Sequence, residues 1–313
     1  MALETVLLRS ETGATAKILP AVGFNCYSWI VPTSTGPLET LWSSPQMTEG
    51  TAKPSGSGIP LLFPFAGRIR GTSFRYAGRE FSLAAGDGQG NAIHGFVIDR
   101  AWRVTEQQAD RVRGQFQASL DDKSLLARWP ADFRITAEYR LEGNTLVSEF
   151  TIDNPDDKPL PFGFGTHGYF RVPLGGTSGP HCKVRVPVGN NWDLEALLPT
   201  GRISKPPLVT QLSQGMAMAD MHLDHVFGGL SFDNHRATAT VSDPGAGRRL
   251  SLIFDDQFTA CVVYVPPHRE AVCIEPYTTT PDPFWLLEQG IDPRLRVLHP
   301  GQSFRTRIDL RLE

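Results

Sequence analysis

The chain has 313 residues, of which 40% are hydrophobic and 20% charged, and a formal net charge of −3, ordinary proportions for a soluble globular protein. That charge gives no general electrostatic reason to bind nucleic acid or an anionic membrane, and no apolar run approaches the roughly 20 residues needed to span a bilayer. The start, MALETVLLRSETG, lacks the features of an export signal, and four scattered cysteines (Cys26, Cys182, Cys261, Cys273) form no CxxC pair, so a reducing, cytoplasmic setting is expected, without a disulfide framework or a zinc knuckle.

In chain order, alternation of apolar and polar residues predicts strands over Asn25–Val31, Val112–Leu120 and Phe133–Leu141, because side chains two apart on an extended chain share a face. A Glu142-Gly143-Asn144 turn then leads into Thr145–Ile152, which predicts a hairpin. Further strands are expected at Lys183–Val188, Arg236–Ser242, Leu250–Phe254, Cys261–Val265, Ala271–Glu275 and Phe304–Leu312. Helical spacing is scarce. Pro283–Gly290 is the best candidate, with proline at its start and glycine at its end. With 30 Gly and 25 Pro breaking up many short strands, the expectation is an all-β fold, a large antiparallel β-sandwich. The polar loop Glu49–Gly58 is too short to act as a linker between domains, and no internal repeat is visible, so residues 1–313 are expected to form a single domain.

Five segments combine polar side chains with unusual local backbone. In IPLLFPFAGRIRG, Arg68 and Arg70 follow an Ala66-Gly67 step that predicts a bend, and a held arginine can fork onto two oxygens. NAIHGF places His94 before a glycine, where backbone or ligand can approach closely. GFGTHGYF surrounds His167 with three glycines, which suggests that something passes close by. HLDHVFGGL sets Asp224 between His222 and His225; with no second cluster to complete a ligand set, no metal site is expected, and Asp224 reads as a hydroxyl acceptor. In VCIEP, Val272 and Ile274 share one strand face while Cys273 and Glu275 share the other. Apolar neighbours would partly desolvate Glu275 and raise its pKa. An imidazole and a carboxylate are the minimum for moving protons at neutral pH, and the glycine and aromatic surroundings suggest a shallow polar ligand, a sugar. Phe65, Trp192 and Phe284 are open to two readings, stacking on that ligand or core.

In order and spacing, PFAGRI, the HG step, H-x-YF, the L-D-H-x-F run and E-P resemble the aldose 1-epimerase (galactose mutarotase) family over nearly the whole length. The resemblance implies a β-supersandwich with an open sugar cleft and no metal or organic cofactor. It implies that Arg68 binds sugar hydroxyls, His94 contacts the ring region, His167 donates a proton to the ring oxygen, Asp224 binds a hydroxyl and Glu275 is the base. Two departures stand out: Gly168 occupies a position where many members have proline, and HGFVIDRAW replaces HGG. The second is similar to the branch acting on hexose 6-phosphates and related anionic sugars, which makes Arg100 a candidate for the anionic group.

The expected activity is interconversion of the α and β anomers of a free hexose, with ionised Glu275 and protonated His167 as base and acid. The alternatives are a 6-phosphorylated or sulfonated hexose as substrate, a glycoside hydrolase using Asp224 and Glu275, and a non-catalytic carbohydrate-binding protein on the same fold. The expected partner is a small-molecule sugar, with the chain acting as monomer or homodimer. The sequence leaves the roles of His222, His225 and Arg70 open.

Overall fold

The computed structural model describes residues 3–313. The predicted hairpin forms between Arg134–Glu142 and Thr145–Asp153, in unbroken antiparallel register. Around it grows a nine-stranded sheet, ordered Arg103–Gln107, Arg111–Gln117, Arg134–Glu142, Thr145–Asp153, Ser303–Leu312, Arg248–Asp255, Arg236–Asp243, Lys183–Arg185 and Met216–Ala217. The alternation that predicted these strands sets their burial: Val112 and Phe116 point inward, while Arg111, Arg113 and Gln115 keep partial exposure.

A second, eight-stranded sheet runs Leu198–Ser204, Asn190–Glu195, Asp224–Gly228, Ala260–Tyr264, Ala271–Tyr277, Gly165–Thr166 and Leu61–Leu62, and Gly168–Arg171 also pairs with Ala271–Tyr277. The two sheets pack on each other. Ile135, Phe150, Leu252 and Ile308 of the first share one hydrophobic cluster with Val263, Val272 and Ile274 of the second, and the rings of Phe150 and Phe164 lie 4.7 Å apart. Four N-terminal strands, Val6–Arg9, Thr15–Leu19, Asn25–Thr33 and Gly36–Glu39, add Leu8, Ile18 and Trp29 to that cluster. Sheet on sheet around a shared apolar layer is the expected antiparallel sandwich. Among the described residues no helix is long and apolar enough to cross a membrane.

Local chemistry accounts for the differences from expectation. The strand predicted over Val112–Leu120 ends at Gln117, and Ala118–Asp121 forms a helical turn. There the Asp121 carboxylate accepts from the Gln117 amide at 2.7 Å and Asp132 accepts from the Ser119 amide at 2.9 Å, so side chains take the place of a ladder partner. The strand predicted over Lys183–Val188 stops at Arg185: the Val186 amide donates to the Leu212 carbonyl, and Pro187 has no N–H to give. The predicted helix spans Pro283–Glu288. A second helix, Pro207–Gln214, carries the same punctuation, proline at its start and Gly215 after its end, and the pattern reading missed it.

If the inter-sheet contact carries the sandwich, Phe150→Ala should destabilise the fold by about 3–5 kcal/mol, whereas Leu126→Ala, at a position 42% exposed, should stay within about 0.5 kcal/mol. Urea unfolding midpoints at constant slope check both.

Candidate active site

Strand Ala271–Tyr277 is buried along its whole length because both of its faces are covered. Val272 and Ile274 enter the main core, and the opposite face, as the alternation predicts, presents Glu275 and Tyr277 to a cavity of about 280 Å³. Glu275 is 1% exposed, so it is not a solvated strand-end glutamate. Burial pushes its carboxyl well above the usual range, reinforced by the nearby Asp224, while the Tyr277 hydroxyl and the Arg68 guanidinium pull the other way. That hydroxyl donates to Glu275 Oε2 at 2.5 Å.

His167 sits between the short strands Gly165–Thr166 and Gly168–Arg171, its backbone amide fixed to the Pro60 carbonyl at 3.0 Å. Its ring stacks on Tyr169, 4.9 Å between centroids and 4° from parallel, and its Nε2 lies 3.4 Å from Glu275 Oε1. Burial brings the His167 imidazole down to about 3. The same burial thus acts on the two partners in opposite senses, raising the proton affinity of Glu275 and lowering that of His167. It works against the expected pairing of carboxylate with imidazolium, because desolvation penalises both charges, while their contact favours it. The glycines around His167 also have a different cause from the one expected. A Cβ at Gly165 would lie 2.3 Å from the Tyr277 ring, and one at Gly163 would lie 2.1 Å from the Thr279 side chain. The close approach comes from the protein's own side chains.

The predicted bend falls at Gly67, and the short strands Arg68–Ile69 and Ala92–Ile93 then pair with Arg68 opposite Ile93. Just beyond that pair, His94 and Gly95 both adopt positive φ, and a Cβ at Gly95 would lie 2.1 Å from the Phe63 carbonyl oxygen. This brings the His94 ring 5.4 Å from that of His167, nearly perpendicular to it. Burial, with help from His167, Arg68 and Lys53, keeps His94 well below its ordinary pKa. The Arg68 Nε donates to Asp87 Oδ2 at 3.1 Å. Asp87 also accepts from the Gln89 amide and from the amide and side chain of Asn91. Burial alone would raise the Asp87 carboxyl; these hydrogen bonds outweigh it and hold it at about 2. Asp224 lines the same cavity from strand Asp224–Gly228; burial raises its carboxyl against the pull of Arg68 and His225.

Five predicted residues, Arg68, His94, His167, Asp224 and Glu275, thus line one cavity. Arg100 does not. It is bound to Asp99 at 2.8 Å and Asp122 at 3.0 Å and lines a neighbouring hollow of about 260 Å³ on the far side of His94. Arg70 points away from Arg68, bonding Asp282 and stacking over Trp285 at 4.2 Å. His222 and His225 face a separate surface hollow behind Asp224, and the Asp224 amide donates to His225 Nδ1. Phe65 and Phe284 are core, against Trp129 and Phe74, and Trp192 is buried beside Val226 and Val262; none of the three lines the Glu275 cavity.

The aromatic walls are Tyr169, Tyr264 and Tyr277 instead, two of them already visible in the THGYF and IEPY strings. Lys53 and Ser55, from the polar loop Glu49–Gly58 that was assigned no role in the site, also line the cavity, and the Tyr169 hydroxyl anchors that loop on the Ser55 carbonyl at 3.0 Å. No local pattern pointed to Asp87. Ligand-type atoms of His167, Cys273 and Glu275 lie within 4.8 Å of one another; His222 and His225 join no such group among the described residues.

A two-sheet sandwich bearing this buried imidazole–carboxyl cavity is a galactose mutarotase-like fold. A galactose mutarotase-like protein from Clostridium acetobutylicum superposes with a TM-score of 0.85 at 20% identity, covering 100% of this chain and 99% of that one. A GalM/aldose epimerase homologue from C. elegans gives 0.80 at 17% identity, covering 100% and 99%. In sequence, residues 4–311 match the aldose 1-epimerase family, and the chain belongs to that family. Its curated relatives include the uncharacterized Escherichia coli protein YihR, 25% identical over an alignment of 254 residues that covers 78% of this chain and 76% of YihR.

Because folding holds the Asp87 carboxyl below its unfolded value, its stabilisation is complete above about pH 4 and lost as pH falls towards 2. The stability gap between wild type and Asp87→Asn should therefore shrink over that window, as followed by urea titrations at stepped pH.

Proposed function

We propose that the protein interconverts the α and β anomers of a free, uncharged hexose in this cavity. The observation that carries the reading is the 3.4 Å approach of His167 Nε2 to Glu275 Oε1 at the wall of a polar hollow of about 280 Å³. That volume sits at the lower edge of the roughly 300–1,000 Å³ typical of small-molecule sites, which suits a single sugar ring. In the proposed reaction Glu275 removes the anomeric hydroxyl proton while His167 protonates the ring oxygen. The bond between C1 and the ring oxygen breaks to give an aldehyde, the C1–C2 bond rotates, and the hydroxyl adds back to the other carbonyl face. The carbon–oxygen bond that breaks is re-formed and the reverse transfer restores both groups, so the sequence needs no oxidant, reductant or external nucleophile.

Burial works against the ionised carboxylate and protonated imidazole that this reaction uses. Sugar hydroxyls hydrogen-bonded to the carboxylate, together with Arg68 and the Tyr277 hydroxyl, favour the charged form of Glu275. General acid and base then contribute roughly 10² to 10⁴ each, and fixing the ring against both supplies the rest. Arg68, His94 and Asp224 are assigned to the remaining hydroxyls. A neutral substrate is supported over a phosphorylated or sulfonated one because the cavity's cations are Lys53 and Arg68, the latter already bound by Asp87, and because Arg100 is held elsewhere by two aspartates. We further propose that the chain works as one unit, since a single hydrophobic cluster runs from Val6 to Leu310.

Polarimetry of freshly dissolved α-glucose or α-galactose tests the reading: the wild-type protein should hasten the approach to equilibrium rotation. Glu275→Gln and His167→Asn should each lose about 10² or more in kcat while still binding sugar, and Arg68→Ala should mainly raise KM. Acceleration with hexose 6-phosphates or sulfonates alone would overturn the neutral substrate; no acceleration with any hexose would overturn the reaction.

A further inference from the structure

We propose that Tyr277 is a positioning residue for Glu275: its buried hydroxyl holds Oε2, turns Oε1 towards the cavity and His167, and stabilises the ionised carboxylate. The inference rests on the base role given to Glu275 above. Both residues are 1% exposed, and the 2.5 Å separation falls in the short range of hydroxyl–carboxylate hydrogen bonds. They stand two apart on one strand and so share a face, which makes the contact a property of the strand itself.

The sheet is shaped to admit this ring. Gly165 lies opposite Tyr277 in the ladder, and a side chain there would strike the ring; a Cβ at Gly67 would come within 3.4 Å of it and closer still to Pro281. The Tyr277 hydroxyl is itself held protonated, its pKa well above the ordinary value through burial and the neighbouring Glu275, so towards the carboxylate it acts only as a donor.

The other charged or titratable groups around Glu275 do not replace it. His167 and Tyr169 approach from the adjoining chain, Asp224, Cys261 and Tyr264 from the neighbouring strands, and Arg68, His94 and Lys53 from the cavity walls, while Cys273 shares the Glu275 face. Among the described residues, Tyr277 alone hydrogen-bonds the Glu275 carboxyl. The nearby carboxylate of Asp224 works against ionisation and Arg68 acts only through its charge. Removing the phenolic donor therefore disfavours the charged form and should move Glu275 ionisation to higher pH.

The test compares full-length wild type, Tyr277→Phe and protein with 3-fluorotyrosine at 277, a more acidic phenol of nearly the same shape. In kcat/KM against pH, the acid limb should move up by about one to two pH units for Tyr277→Phe, the shift expected from loss of a hydrogen bond to a charged group, and down for the fluorinated protein, with KM nearly unchanged. Isotope-edited infrared titration of the Glu275 carboxyl, without sugar, should show midpoints displaced in the same two directions. This second readout separates the inference from the function. If wild type fails to anomerise any hexose, the proposed function falls, and the infrared midpoints still decide whether Tyr277 governs Glu275. A uniform loss of rate with the acid limb and the infrared midpoint unmoved would overturn the inference. If Tyr277→Phe does not fold, an unmoved midpoint in the fluorinated protein has the same force.

Discussion

Strand Ala271–Tyr277 is covered on both faces, and that burial is the constraint on which the rest of the site depends. A carboxyl held there cannot be treated as a surface charge. Desolvation raises its proton affinity and lowers that of the imidazole 3.4 Å away. A base that clings to its proton and an acid that releases it readily are poorly matched before a ligand arrives. The surroundings shift that balance towards charge separation, through the Tyr277 hydroxyl on one carboxyl oxygen, the Arg68 charge nearby and the hydroxyls of the proposed sugar. In this account the ligand takes part in setting the protonation states it needs.

The scaffold supplies precision by placing these groups on regular structure. Glu275 and Tyr277 belong to an interior strand, and His167 lies between two strands bonded to it. Arg68 and His94 sit on or beside a short strand pair, and Asp87 fixes the Arg68 guanidinium there. Loops contribute Lys53 and Ser55, and even there Tyr169 holds the backbone. Little is left to side-chain freedom, which is how a scaffold keeps reacting groups within hydrogen-bond reach.

Much of this was legible in the sequence because alternation is a local signal. The pattern of VCIEP put Glu275 opposite the core face, the Glu142-Gly143-Asn144 turn set the central hairpin, and of the proposed site residues all but Arg100 share one cavity. What local pattern could not give was partnership across long distances. Arg100 followed the HGF step closely enough to invite a role, but Asp122 binds it from another part of the chain. Nothing in the local pattern around Asp87 showed that its carboxylate would hold Arg68. The glycines near His167 signalled close approach correctly, but the approaching group was the Tyr277 ring, which lies far along the chain. The opposing pull of desolvation on the pair was hidden for a related reason: pairing was visible in the sequence, and the completeness of the burial was not.

The most direct test of the central claim is a crystal structure of Glu275→Gln with a free hexose bound. The account predicts the anomeric oxygen within hydrogen-bond reach of the side-chain amide introduced at position 275 and the ring oxygen within reach of His167 Nε2, with Arg68, His94 and Asp224 on the remaining hydroxyls. A sugar seated elsewhere on the surface, or one whose anomeric carbon faces away from positions 167 and 275, would contradict it.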